Sequence, residues 1–223
     1  MMSKSKNIGA ISEKALLNKS IEFKDGELHI WNIRASIFSN YSFAYLFNVF
    51  NSLNLKEGVD AVFWMCYYQA MGAAFVTKQR FGIDKKILEN VVGQGEMLGY
   101  GKTSIKVADF SKCYFVFETD SSIAKEQVSV FAPAKIPLCH HIRGLLAGTT
   151  AFLTNKDMVC VEEKCIGKGD SKCVFIVKER SEFDLKNNDF AFQIPKKLLT
   201  PEELGDKRHI KILDEDMSNR RSR

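Results

Sequence analysis

The chain lacks low-complexity tracts and internal repeats, and it has only four prolines and 14 glycines in 223 residues. These absences exclude a collagen-like protein and a disordered linker. Hydrophobic residues make up 45% of the chain and charged residues 26%, which is the balance of an ordinary globular protein. A chain of this length buries roughly 70% of its unfolded surface, so we expect a hydrophobic core that folds without disulfide bonds.

A secretory signal is also missing, because residues 1–19 are polar and contain no apolar segment. Six cysteines without such a signal favour a reducing, cytoplasmic location. The longest uncharged run, residues 61–77, is at the lower length limit for a membrane span and has Tyr67, Tyr68 and Gln69 at its centre. We interpret it as a helix buried on most sides within a soluble protein, and we expect no membrane contact.

No basic stripe of the kind found in dedicated nucleic-acid binders is present. The chain has 32 basic and 27 acidic residues, a formal net charge of +5, and the lysines are interleaved with acidic residues. Only residues 219–223 form a basic cluster, which we interpret as a solvated tail. Nucleic acid is therefore not an expected partner.

The hydrophobic pattern divides the chain into a flexible N-terminal arm (1–20), a domain (21–180) and a charged C-terminal extension (181–223). In the domain, Asp25–Gly26 predicts a hairpin turn, and residues 31–37 extend its second strand. Thr200-Pro201-Glu202-Glu203 predicts the start of a helix in the extension. The predicted helices span about 40–53, 57–79, 84–98, 121–131 and 138–153, and the further strands about 103–110, 112–119, 158–163 and 172–178.

The helix predicted at 138–153 has two glycines, Gly144 and Gly148, four positions apart. Pro137 suits the first turn of that helix, where its missing N–H costs nothing. The glycines would allow another element to lie close to the helix backbone.

The segment from Glu162 to Cys173 carries the strongest chemical signal. Cys165 and Cys173 lie eight positions apart across a loop with two glycines, and Cys139 lies on the preceding helix. Three thiolates and the Glu162 carboxylate would form a closed tetrahedral site of the type that zinc prefers. The loop lysines could offset the excess negative charge: Lys164, Lys168 and Lys172.

Other interpretations of these residues remain open at this point. Cysteine is commonly buried as a small hydrophobic residue, which is how we interpret Cys66, Cys113 and Cys160. The reducing compartment disfavours a disulfide between the two loop cysteines. His140 or His141 could replace the carboxylate as a ligand, but adjacent helical residues point about 100° apart, so both cannot bind together with the helix cysteine.

The pattern Glu-x-x-Cys-x7-Cys, following a Pro-x-Cys helix with Gly-x-x-x-Gly, resembles the 4-vinyl reductase domain family. This family includes sensory domains of phenol-responsive transcription activators and is similar in fold to subunits of the TRAPP tethering complex. The resemblance implies an α+β fold in which an antiparallel sheet and helices enclose an apolar pocket, and it implies a homodimer. It also implies one zinc ion per chain, with the ligands Cys139, Glu162, Cys165 and Cys173.

Candidate ligand contacts lie on the uncharged helix, where four aromatic and thioether residues share one face: Phe63, Tyr67, Met71 and Phe75. Such spacing is also typical of a core, although in a sensory fold the same residues can line a cavity. The glycine-rich segment 93–101 resembles a dinucleotide loop superficially but lacks the preceding strand. We interpret it as a flexible connection that could gate a pocket.

Three functions are compatible with these features. The first is a non-catalytic, zinc-containing domain that binds a small apolar or aromatic ligand and acts through a regulatory protein partner. The second is a reductase-type enzyme of tetrapyrrole or related metabolism, and the third is a scaffold dimer without ligand. A four-ligand metal site has no open position for catalysis, which favours the first. The chain ends about 50 residues after Cys173, so we expect its output to pass through another chain.

Overall fold

The computed structural model describes residues 21–30, 33–35, 39–81, 84–197, 199–207 and 211. The predicted arm at 1–20 and the basic cluster at 219–223 lie outside this range. Three antiparallel strands come first: β1 (Ile21–Lys24), β2 (Glu27–Ile30) and β3 (Ile33–Ala35). Asp25 and Gly26 have φ values of 51° and 82°, which confirms the predicted turn. The predicted extension of the second strand is wrong, because the chain reverses after Ile30 and Ile33 pairs back onto it.

Helices occupy the positions that the hydrophobic pattern predicts, and each of two serine caps explains where a helix begins. The Ser39 side chain accepts a hydrogen bond from the Ser42 N–H at 3.1 Å, and the Ser121 side chain accepts one from the Ala124 N–H at 3.2 Å. No helix in the described residues is long and apolar enough to cross a bilayer. The helices are α1 (Asn40–Ser52), α2 (Lys56–Phe81), α3 (Asp84–Met97), α4 (Ser122–Val130), α5 (His140–Thr154) and α6 (Asn188–Gln193).

A four-stranded antiparallel sheet forms the second layer of the domain, in the order β4-β5-β7-β6. Alternate residues of β5, such as Phe115 and Phe117, are fully buried, so one face of the sheet covers the helical core. Sheet and helices together confirm the α+β fold class. The strands are β4 (Gly101–Asp109), β5 (Tyr114–Ser121), β6 (Met158–Lys164) and β7 (Cys173–Glu179).

The centre of the core is a close contact between α2 and α5. A Cβ atom added at Gly144 would collide with the backbone carbonyl of Phe63, and one added at Gly148 would collide with that of Tyr67. The predicted close approach at these glycines is therefore confirmed. Because α5 begins beside the candidate metal ligands, this contact also fixes where they lie.

The C-terminal extension covers the outer face of β6. Phe183 and Ile194 are buried against Val159 and Val161, so this strand is covered on both faces. The helix predicted to start at Thr200 is wrong within the described residues. The Thr200 and Glu203 side chains do bond reciprocally with each other's backbone N–H groups, but only a turn forms. Gly205, at φ 64°, ends this turn in the left-handed region.

We predict that Gly148→Ala destabilises the fold by about 1–3 kcal/mol, because the added methyl group must push α2 away from α5. Gly93→Ala is the matched control, since its added methyl group meets no atom within 4 Å. Alanine there should stabilise α3 by about 0.5–1 kcal/mol. Urea unfolding followed by circular dichroism measures both free energies. Equal effects of the two substitutions would contradict the close contact.

Candidate metal centre

Four buried side chains from separate parts of the domain converge beside the start of α5. One ligand atom from each residue, three sulfurs and a carboxylate oxygen, lies within 4.8 Å of all the others. The structure therefore brings together the complete ligand set expected from the sequence. These residues are Cys139, Glu162, Cys165 and Cys173.

Local backbone features explain how distant residues meet here. Cys139 immediately precedes the first residue of α5. Glu162 lies on β6 directly before a register shift between Glu162 and Lys164, and such bulges redirect side chains. Cys173 opens β7, which is the strand paired with β6. A helix start, a strand bulge and a strand start thus surround one point.

The loop between Cys165 and Cys173 turns both sulfurs towards that point. It contains a single 3-10 turn, Ile166–Lys168, which Gly169 ends with a φ of 103°. The Asp170 carboxylate accepts a hydrogen bond from the Cys165 N–H at 2.8 Å. The Ile166 N–H donates to the Cys173 sulfur at 3.3 Å, and such a bond favours the thiolate form of that cysteine.

Burial and hydrogen bonding set the protonation of the cluster. Burial raises the pKa of the Cys139 thiol and of the Glu162 carboxyl group. Hydrogen bonds from the Cys139 and Cys173 thiols lower the pKa of Cys165. Protons are therefore shared among these groups. A divalent cation would displace them, because thiols and carboxyl groups bind metal in their deprotonated forms.

The geometry fits a tetrahedral ion with sulfur ligands. The sulfurs of Cys139 and Cys173 are 3.8 Å apart. Two thiolates bound to one tetrahedral zinc ion are also about 3.8 Å apart. Glu162 Oε2 accepts a hydrogen bond from the Cys139 N–H at 2.9 Å, whereas its buried Oε1 has no hydrogen-bond partner in the described part of the chain. That second oxygen is available as the fourth ligand.

A fully buried arginine lies one helical turn after Cys139 and was not expected from the sequence. Arg143 donates hydrogen bonds to the backbone carbonyls of Gln193 and Cys160. Three thiolates and a carboxylate around a divalent ion leave two net negative charges, and a buried cation nearby offsets part of them. By contrast, the loop lysines expected to balance this charge are exposed: Lys164, Lys168 and Lys172.

Neither histidine of α5 belongs to the ligand cluster. His140 Nδ1 lies 2.7 Å from Arg143 Nη2, and because a guanidinium only donates, Nδ1 accepts and the neutral ring carries its proton on Nε2. His141 packs against the rings of Phe47 and Tyr100. Burial, together with the arginine charge, lowers the pKa of His141 to about 3. Both rings are therefore neutral at physiological pH, and they pack inside the core.

The residues expected to contact a ligand lie between α2 and its neighbours. Neither of two cavities in the described structure is lined by them. Phe63, Tyr67 and Phe75 are buried and Met71 is half-buried. As ligand contacts these four residues stay a prediction.

The smaller cavity lies between α3, α5 and the start of β4 and has a volume of about 30 Å³. Leu145 and Leu146 of α5 contribute to its apolar wall, and Gly95 and Tyr100 belong to the glycine-rich segment predicted to gate a pocket. A larger cavity, about 510 Å³, runs along α2 beside Leu199.

The other three cysteines lie outside the cluster. Cys66, Cys113 and Cys160 are buried, and all six cysteines of the chain are free thiols. Burial raises the pKa of the Cys66 thiol to about 12, so it stays protonated. These positions agree with their interpretation as core residues.

Residues 124–179 match the model of the 4-vinyl reductase domain, which confirms the family resemblance over that segment. An uncharacterized protein of Methanocaldococcus jannaschii is 49% identical over 41 residues. This match covers 18% of the chain and 24% of that protein, so the chain spans about a quarter of the length of the curated relative.

Two solved structures are similar in fold. The phenol-responsive sensory domain of the transcription activator PoxR, solved with phenol, aligns over 86% of this chain and all of that domain, with a TM-score of 0.68 and 17% identity. A trafficking protein particle complex subunit 3 from Naegleria fowleri, covalently bound to palmitic acid, aligns over 62% of this chain and 93% of that subunit, with a TM-score of 0.44 and 14% identity. The first similarity establishes a shared fold.

We predict that Cys165→Ser reduces the metal content of the purified protein from about one ion per chain to a small fraction, because one of four ligands is lost. Its melting temperature should fall as well, since metal binding and folding are coupled. Cys160→Ser is the control, as Cys160 is equally buried but lies outside the cluster. Elemental analysis measures the ion. Equal metal content in the two variants would contradict the ligand assignment.

Proposed function

We propose that this chain, whose residues 124–179 match the 4-vinyl reductase domain, is a non-catalytic ligand-sensing domain assembled around one structural zinc ion. The observation that carries the proposal is the closed, buried set of three thiols and one carboxyl group. Thiolate-rich tetrahedral sets favour zinc over magnesium or calcium, which prefer oxygen ligands. The zinc ion would supply a cross-link that joins α5, β6 and the loop before β7.

The ligand set argues against the reductase alternative. Four protein ligands complete a tetrahedral site, so a substrate could reach the ion only by displacing one of them, such as Glu162. The hydrogen bond between Glu162 Oε2 and the Cys139 N–H holds that carboxylate in place. The same geometry supports a structural role for the ion.

For the ligand, we propose a small apolar or aromatic molecule that enters at the cavity between α3 and α5. The similar fold of the PoxR domain, which was solved with phenol, supports this chemical class. The cavity wall is mainly apolar and includes Tyr100, whose hydroxyl could orient a polar group. A volume of about 30 Å³ accommodates roughly one water molecule. Binding would therefore move α3 outwards, and Gly93 and Gly95 within this helix lower its helical stability.

We also propose that the domain works as a cytoplasmic homodimer and transmits ligand binding to a regulatory protein partner. Two-fold dimers are the commonest symmetric assemblies. Native mass spectrometry of freshly purified protein tests the whole proposal in one measurement. We expect a dimer with one zinc ion per chain and a retained small molecule. A metal-free monomer would contradict the proposal, and a zinc-loaded dimer that binds no small molecule would favour the scaffold alternative.

We predict that phenol raises the melting temperature of the protein, because a ligand at 100 times its Kd stabilises the folded state by about 2.7 kcal/mol. Leu145→Trp should abolish this increase, since Leu145 is half-buried and the larger ring would fill the cavity. Leu153→Trp, on the same helix but outside the cavity wall, should retain it. Differential scanning fluorimetry measures the shifts. An equal phenol response in both variants would place the ligand elsewhere.

A further inference from the structure

Gln193, which lies beyond the segment matched by the family model, contacts the strand that carries Glu162. The backbone N–H of Glu162 donates to Gln193 Oε1 at 2.7 Å, and Gln193 Nε2 donates to the Glu162 carbonyl at 3.1 Å. Both residues are 1% exposed. One carboxamide therefore satisfies both backbone groups of a candidate metal ligand.

These two bonds occur where the sheet itself gives least support. β6 is an edge strand, so the backbone groups that face away from β7 have no neighbouring strand. The register shift after Glu162 interrupts the ladder at the same place. The Gln193 side chain thus takes the place of an adjacent peptide and fixes the backbone of Glu162 from the open side.

The backbone of Gln193 reaches the other half of the metal centre. Its carbonyl oxygen accepts a hydrogen bond from Arg143, which lies on α5 four positions after Cys139. Arg143 is completely buried, and its Nε has no hydrogen-bond partner in the described structure. Gln193 therefore links the strand that supplies the carboxylate with the helix that follows the first thiol.

We propose that Gln193 is a positioning residue of the metal centre, and that the segment Asn188–Ile194 is thereby coupled to metal occupancy. This inference rests on the metal site proposed above. If Gln193 holds Glu162 in its ligating position, metal binding in turn stabilises the contact of the segment with the domain, because coupling between two sites is reciprocal. The segment connects the centre to the chain that continues along α2 at Leu199.

The test compares Gln193→Met with Gln127→Met in the full-length, zinc-loaded protein. Methionine preserves the length of the side chain and removes its hydrogen bonds. Gln127 is equally buried and bonds Asn48 and the Ala132 carbonyl, so it controls for loss of a buried amide. We expect Gln193→Met to release zinc to a chelator about tenfold faster or more, the usual size of effects from groups that orient metal ligands. Gln127→Met should release it at the rate of the unchanged protein.

Cobalt substitution adds a readout that a general loss of stability would not change. The absorption bands of the cobalt-loaded protein report the geometry around the ion, and we expect Gln193→Met to shift them. Gln193→Glu keeps an acceptor for the Glu162 N–H and should give an intermediate release rate. Equal release rates and unchanged spectra in both methionine variants would overturn the role of Gln193 alone. A chain that binds neither zinc nor cobalt would overturn the metal centre itself, and this inference with it.

Discussion

The cost of burying several acidic ligands at one point governs the structure of this domain. Glu162 and the three thiols of the cluster come from a helix start, an edge strand and a loop, and none of them would be stable as a buried anion alone. A divalent cation turns this repulsion into attraction and joins the three elements. The surrounding features, the loop N–H groups directed inwards and the buried Arg143, all place positive charge or hydrogen-bond donors around the same point.

The close contact of α2 and α5 supports this arrangement mechanically. Gly144 and Gly148 allow the two helices to meet at backbone distance, which leaves α5 little freedom to shift along its axis. Cys139 at the start of that helix consequently has a fixed position relative to the sheet. A packed apolar core thus positions the first ligand, whereas the β6 bulge and the loop before β7 position the others.

The sequence predicted the elements and ligands that depend on local pattern. The spacing of Glu162, Cys165 and Cys173, and the glycine pair of α5, are visible because each lies within one element or loop. Arg143 and Gln193 were missed because their roles depend on contacts across 50 positions of the chain. A charged residue four positions after a cysteine in an otherwise apolar helix is the one signal that could have indicated Arg143. The helix expected at Thr200 failed because Gly205 ends it after one turn, although the capping residues bond as predicted.

The covered edge of β6 has a practical consequence for where this domain can be cut. A recombinant fragment that stops at residue 179, the boundary of the matched family segment, would contain every candidate ligand but would leave Glu162 with two open backbone groups and deprive Arg143 of a carbonyl acceptor. Buried groups deprived of their acceptors or donors are expensive. The smallest stable unit therefore extends at least to Ile194, and boundaries taken from homology alone would yield a poorly folded product.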